Sequence, residues 1–302
     1  MKIAPLLFTC GIFTASARTW TSTAGKPLEA TFISATETEV TLKRDKDGKV
    51  FTVPLNRLIE ADRTSIKEEA EAPEPEVNKM EGEYAHLVTG NWVRAEHGEL
   101  PYAFYGGKEL VGSSKVPLVI SLHGKSDNNE NGKQIGFAKK FAEAGNYEDR
   151  PCLILAPLCY QPHGGTGGGW DDAPGEETLS LVKDLLKKLP IIDEKRVYVI
   201  GYSMGGFGTW HFLKEEPKMF AAGAPIAGGS NGVGKLRSMP IWSFHGAKDD
   251  VVGPASARNC ADELKRSKVF KYTEYPDAGH GIAGTVTDDP ELHKWLFEQA
   301  KK

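Results

Sequence analysis

The stretch "VIGYSMGGFGTW" (199–210) sets one small polar residue, Ser203, among four glycines directly after a strand-like apolar run. Gly201-Tyr202-Ser203-Met204-Gly205 fits the pattern G-x-S-x-G, with a helical pattern following. In that context the bend lifts a serine hydroxyl to the N-terminus of a helix. Side chains at 201 and 205 would collide with neighbouring backbone in so sharp a turn, so the two glycines leave room while Ser203 is pushed outward. The helix dipole then favours negative charge developing beside it. A glycine-rich connector with an incidental serine is the plainer reading, and the strand and helix on either side argue against it.

A serine alcohol is a weak nucleophile, so a base must take its proton and an acid must orient that base. The order to look for downstream is Ser, Asp, His. "SFHGAKDDVV" (243–252) follows a strand-like run with Asp249 and Asp250, and "YPDAGHGI" (275–282) follows the last one with His280. Both stretches sit at strand C-termini, where open α/β sheets gather their sites. Asp249 is the choice for the acid and His280 for the base, with Asp250 left open as the alternative acid. His245, His211 and His293 read as structural, His245 because it closes a strand ahead of a turn.

Acyl transfer also needs N–H donors for an oxyanion. The backbone N–H of Met204, next to the serine, supplies one. The loop "ISLHGKSDNN" (120–129) offers the other at Lys125, after the His123-Gly124 turn. "HGGTGGGWDD" (163–172) reads as a strand-to-helix loop, and Trp170 in it, with Tyr202 and His123, is a candidate wall of a substrate pocket. "DNNENG" (127–132) imitates the front of a calcium loop, but its twelfth position is Ala138 instead of a bidentate Glu, so a solvated loop is expected. No spacing suggests a metal site, and no cofactor is expected.

Outward from this core the chain divides. Near-continuous apolar runs such as "VPLVISLHG", "CLILAPL", "RVYVIGYS" and "AAGAPIAGG" imply strands buried on both faces, hence a mostly parallel sheet covered by helices. In "EETLSLVKDLLKKL" (176–189), Leu179, Val182, Leu186 and Leu189 make one helical face, and Asp289-Pro290 starts the last helix. Upstream, "LEATFISA", "EVTLKR" and "KVFTVPL" read as short strands, with Asp47-Gly48 marking a hairpin. Between the two parts, "KEEAEAPEPEVNKMEGE" (67–83) is acidic, contains proline and lacks large apolar residues, which predicts an unordered linker. The expected organisation is a leader over 1–17, a small β module over 18–66, a linker over 67–82 and a doubly wound α/β domain over 83–302.

The 302 residues carry a net charge of −4 with 40% hydrophobic and 26% charged residues, which describes an ordinary globular chain and disfavours nucleic acid as a partner. The first residues, "MKIAPLLFTCGIFTASARTW", combine one lysine, a short apolar run and "ASA" at 15–17, the pattern of an export signal. Ile3 to Phe13 is too short to span a bilayer, and Thr9 before Cys10 is wrong for lipoprotein processing. A secreted or periplasmic protein is expected. Without the leader, Cys152, Cys159 and Cys260 remain, an odd number that permits at most one disulfide.

The motifs "SLHGKSDN", "APLC", "GYSMGGFGTW", "HGAKDDVV" and "DAGHG" resemble the α/β-hydrolase superfamily, in particular its carboxylesterase, polyhydroxybutyrate-depolymerase-like and prolyl-oligopeptidase-like group. That resemblance implies a serine ester hydrolase acting on small or polysaccharide-linked esters through Ser203, Asp249 and His280. Asp250 departs from the proline usual there. A prolyl-oligopeptidase-type peptidase, or a binding protein with an inert hydrolase unit, are the rival readings. Residues 18–66, from Trp20 through "VPLNRL", resemble the SLA1 homology domain, an SH3-like β-barrel; cell-surface or carbohydrate contact is the expectation that goes with it.

Overall fold

The computed structural model describes residues 17–36, 38–71, 80–110, 112, 114–125, 132–162 and 168–302, with backbone only for 17, 34 and 67–71. The expected leader lies outside the described residues except for Ala17. Two compact units divide the chain, Met1–Val77 and Asn78–Lys302.

The first unit is an antiparallel meander of four strands in sequence order, β1 (Ala17–Thr21), β2 (Pro27–Ala35), β3 (Glu39–Arg44) and β4 (Val50–Pro54). Gly48 closes the β3–β4 hairpin at φ +66°, a region that costs glycine nothing. Trp20, Phe32, Val40, Leu42, Leu58 and Ile66 form its core, and the Trp20 indole N–H donates to the Ala30 carbonyl at 2.8 Å. Helix α1 (Glu60–Glu71) is tied to β1 where Asp62 accepts the Thr21 N–H at 2.6 Å. This helix continues to Glu71, into the stretch 67–82 expected to be a linker. A run of Lys, Glu and Ala has good helix propensity, so the helix extends without needing large apolar residues.

The second unit is built on one eight-stranded sheet. Its strands are β5 (Val93–His97), β6 (Leu100–Tyr105), β7 (Val116–Leu122), β8 (Leu153–Pro157), β9 (Ile192–Tyr202), β10 (Ala222–Ile226), β11 (Ile241–Gly246) and β12 (Phe270–Tyr275). They lie in the order β12-β11-β10-β9-β7-β8-β6-β5, parallel except for the two antiparallel pairings that β6 makes with β5 and with β8. Every residue of β7, β8 and β10 is buried. Alternate residues feed two cores: Leu118, Ile120, Leu153, Leu155, Val197 and Val199 on one face, and Val119, Ile154, Tyr198 and Ile200 on the other.

The helices of this unit are α2 (Ile135–Ala138), α3 (Ala144–Asp149), α4 (Ala173–Lys188), α5 (Met204–Glu215), α6 (Ala255–Leu264), α7 (Ala283–Thr287) and α8 (Pro290–Phe297). Buried residues of α4, α5 and α6 join the first core, and those of α2, α3, α7 and α8 the second or its neighbours, so both sheet faces are covered. On α4 the buried stripe is Leu179, Leu181, Val182 and Leu185, continued by Leu189; Leu186 is only partly buried, a shift of one residue from the expected face. The last helix starts as read: the Asp289 carboxylate accepts the Glu291 N–H at 2.9 Å, with Pro290 in the first turn.

Candidate active site

β9 delivers the chain into the bend at full extension and α5 begins at the next residue. Ser203, between them, sits at φ 55° and ψ −115°, a region that side-chain-bearing residues rarely occupy. The Ser203 N–H donates to the Ile226 carbonyl of β10 at 2.8 Å, which holds the strained residue in place. A Cβ built on Gly201 would stand 2.1 Å from the Gly205 carbonyl oxygen, and one on Gly205 would stand 2.0 Å from that of Leu122. The motif's two outer glycines are therefore required by backbone that cannot move aside. Gly205→Ala is expected to destabilise the protein by about 1–3 kcal/mol or to prevent folding; thermal unfolding beside wild type checks it.

Two loops carry the other groups to the serine. β11 ends at Gly246 and the chain turns through Asp249; β12 ends at Tyr275 and a loop reaches His280. The loops are laced together by the Ala247 N–H donating to the Tyr275 carbonyl and the Lys248 N–H to that of Ala278, both at 2.9 Å. His280 Nε2 lies 2.9 Å from Ser203 Oγ, and its Nδ1 lies 2.8 Å from Asp249 Oδ2. The carboxylate side chain is fully buried, while the His280 side chain keeps 18% of its exposure. Asp250 is exposed.

Burial alone would push the Asp249 carboxyl pKa up. Hydrogen bonds from His280 and from the Val252 and Val251 N–H groups outweigh it, leaving the acid below its ordinary 3.8. Its Oδ1 accepts both peptide N–H groups, at 2.8 and 3.0 Å. With the carboxylate ionised at neutral pH, the proton of the imidazole belongs on Nδ1. Nε2 is then an acceptor facing the serine hydroxyl.

Residues 175–294 match the Dienelactone hydrolase family. The chain is similar to the bifunctional acetylxylan esterase/xylanase XynS20E of Neocallimastix patriciarum, 33% identical over 184 residues, covering 58% of this chain and 26% of that protein. It is also similar to dipeptidyl peptidase family member 1 of Caenorhabditis elegans, 24% identical over 213 residues, covering 57% and 26%. The chain thus spans about a quarter of the length of these relatives. Among solved structures, a thermostable esterase superposes with a TM-score of 0.62 at 24% identity, covering 90% of this chain and 73% of that one. The fold is that of the α/β-hydrolases.

In the second unit, Met204 is buried at the first position of α5, directly after the serine. The loop after β7, third strand of the sheet in sequence, runs against the same bend: a Cβ built on Gly124 would stand 3.4 Å from the Cβ of Ser203. Lys125 follows with an exposed side chain. Met204 thus follows the serine in the chain, and Gly124, the residue before Lys125, approaches it in space.

Trp170 and His123, read from the sequence as walls of a pocket, are both buried. Trp170 is fully buried, its indole N–H donates to the His123 carbonyl at 3.3 Å, and its ring packs edge-on against His123 and Phe212. His123 Nε2 accepts the Cys159 N–H at 3.0 Å while Nδ1 faces the Gly124 carbonyl at 2.6 Å. Burial lowers its pKa, opposed by that bond to Gly124. Both side chains brace the loop from below. Tyr202 is half-buried; its phenol donates to the His280 carbonyl at 3.0 Å and its ring lies 5.1 Å from the imidazole.

His293 is structural, bonded to the Thr287 carbonyl at 2.8 Å. Cys152, Cys159 and Cys260 are free and buried, and burial pushes the Cys159 and Cys260 thiols up to about 11. Among the described residues, no group of three or more His, Cys, Asp or Glu side chains suits a metal ion, and no helix is long and apolar enough to cross a membrane.

Proposed function

We propose that this protein is a serine ester hydrolase in which Ser203 is the nucleophile, His280 the general base and Asp249 the orienting acid. The reading rests on one observation: a single imidazole within hydrogen-bond reach of both the Ser203 hydroxyl, at 2.9 Å, and the buried Asp249 carboxylate, at 2.8 Å. His280 Nε2 takes the Ser203 proton as Oγ attacks the ester carbonyl. The Met204 and Lys125 N–H groups receive the oxyanion. His280 then protonates the departing alcohol. Water repeats the sequence on the acyl-enzyme, and Asp249 offsets the imidazolium charge in both halves.

The substrates proposed are carboxylic esters, including those borne on polysaccharides, a class suggested by the acetylxylan esterase among the relatives. Export through the leader over 1–17 and an SH3-like role for the N-terminal β unit, with cell-surface or carbohydrate contact, belong to the same proposal. The likeness to a dipeptidyl peptidase keeps peptide bonds as the second reading. Hydrolysis of p-nitrophenyl acetate without cleavage of aminoacyl anilides is the expected result. Anilide cleavage at comparable kcat/KM favours the peptidase, and no turnover of either by folded protein favours an inert unit serving the β module.

A further inference from the structure

His245, the penultimate residue of β11, is fully buried and takes no part in the steps above. Its Nε2 faces two oxygens, the Val252 carbonyl at 2.8 Å and Asp249 Oδ2 at 3.3 Å. A ring nitrogen between two acceptors must carry the hydrogen, so Nε2–H is the donor and Nδ1 is bare; among the described residues Nδ1 has no hydrogen-bond partner. We propose that His245 is a positioning residue for the acid, acting on Ser203 only through Asp249 and His280. This rests on the reading of Asp249 as the orienting acid.

The turn over 249–252 needs such an anchor. Val251 is 69% exposed and Asp250 is exposed, so neither side chain packs the turn against the domain. What holds it is internal. The Val252 N–H donates to Asp249 Oδ1 at 2.8 Å, and the Val252 carbonyl accepts from His245. Residue 252 is therefore gripped through both polar groups of its backbone. The same nitrogen lies 3.3 Å from Oδ2, the oxygen that His280 uses, so the ring backs the carboxylate on the side away from its bonds to the Val251 and Val252 N–H groups.

The carboxylate paired with His245 across the β11–β12 register does not take its donor. Glu274, opposite it across β12, is taken up by Arg258 at 2.8 and 2.9 Å and by Tyr272 at 2.6 Å. Removing the Nε2–H leaves the Val252 carbonyl without that partner and lets the carboxylate pivot away from His280.

The test uses the full chain with His245→Leu, His245→Phe and His245→Gln, each alone and combined with Asp249→Asn, on p-nitrophenyl acetate. Leu or Phe is expected to lower kcat about 10- to 100-fold, the range typical of partners that orient a reacting group, with KM within about twofold. Gln places an amide N–H where Nε2–H stood and is expected to recover most of the loss. In the Asp249→Asn background the same changes are expected to do almost nothing, because the acid they act through is gone. A second readout needs no turnover. The downfield proton resonance of His280 Nδ1–H, identified by its loss in Asp249→Asn, is expected to broaden or shift in the Leu and Phe variants and return in Gln.

An unchanged kcat and resonance in both apolar variants overturns the proposal, as does an equal loss in the Asp249→Asn background. Absence of hydrolysis by wild type overturns the proposed function instead, and the resonance still decides the role of His245.

Discussion

Ser203→Ala is expected to lower kcat/KM for an aryl ester by about 10⁵- to 10⁶-fold and to abolish labelling by a fluorophosphonate. His280 and Asp249 act on the ester carbonyl through Ser203, so the losses are not additive with those at 280 or 249. The fold is expected to survive. The bond that fixes residue 203, its N–H to the Ile226 carbonyl at 2.8 Å, is backbone and persists in the variant. Alanine tolerates φ 55° about as well as serine does. A melting temperature within about 4 °C of wild type is the corresponding stability result. Residual turnover of about 10³ over water would reflect the N–H donors alone. Folded wild type that takes no label, or an alanine variant that keeps its rate, would sink the assignment.

That the serine stood out in the sequence has a physical basis, and so do the features that did not. The collision at Gly201 and Gly205 is a local demand, written in residues two positions from the one it serves, and the continuous apolar runs of β7, β8 and β10 follow from burial on both faces. The hairpin of β5 and β6 escapes the same reading. β5, "VRAEH", has no fully buried residue, and β6 contains Pro101, which demotes a run on sequence grounds alone.

Trp170 shows the reverse failure. Three consecutive glycines before it announce a loop, but whether its ring faces a pocket or the core depends on His123 and Phe212, residues 47 and 42 positions away. His245 was legible as a buried strand end; that its donor points at the acid's own turn is a property of a turn formed four to seven residues later. Local chemistry reads well from sequence, and the direction of a side chain set by tertiary packing does not.

Between the two adjacent carboxylates the sequence leans to Asp249, and the 2.8 Å approach of its Oδ2 to His280 Nδ1 favours the same residue. Asp249→Asn is expected to lower kcat by about 10⁴-fold, and Asp250→Asn by less than about twofold, since Asp250 is exposed. The amide that replaces Asp249 can turn its NH₂ toward His280 Nδ1, which moves the imidazole proton to Nε2, where it blocks acceptance from Ser203. The carboxylate is also a stability element with a definite sign. Its folded pKa lies below its ordinary 3.8, because the His280, Val252 and Val251 donors outweigh burial. Its contribution is therefore present above pH 3.8 and is lost as pH falls through the lower, folded value. Melting curves from neutral pH down to about pH 3 should show wild type losing stability that Asp249→Asn never had, so the gap between them narrows on acidification. If Asp250→Asn shows the large rate loss and the closing gap instead, the acid is the neighbour and the 249–252 turn must rearrange in solution to bring it to His280.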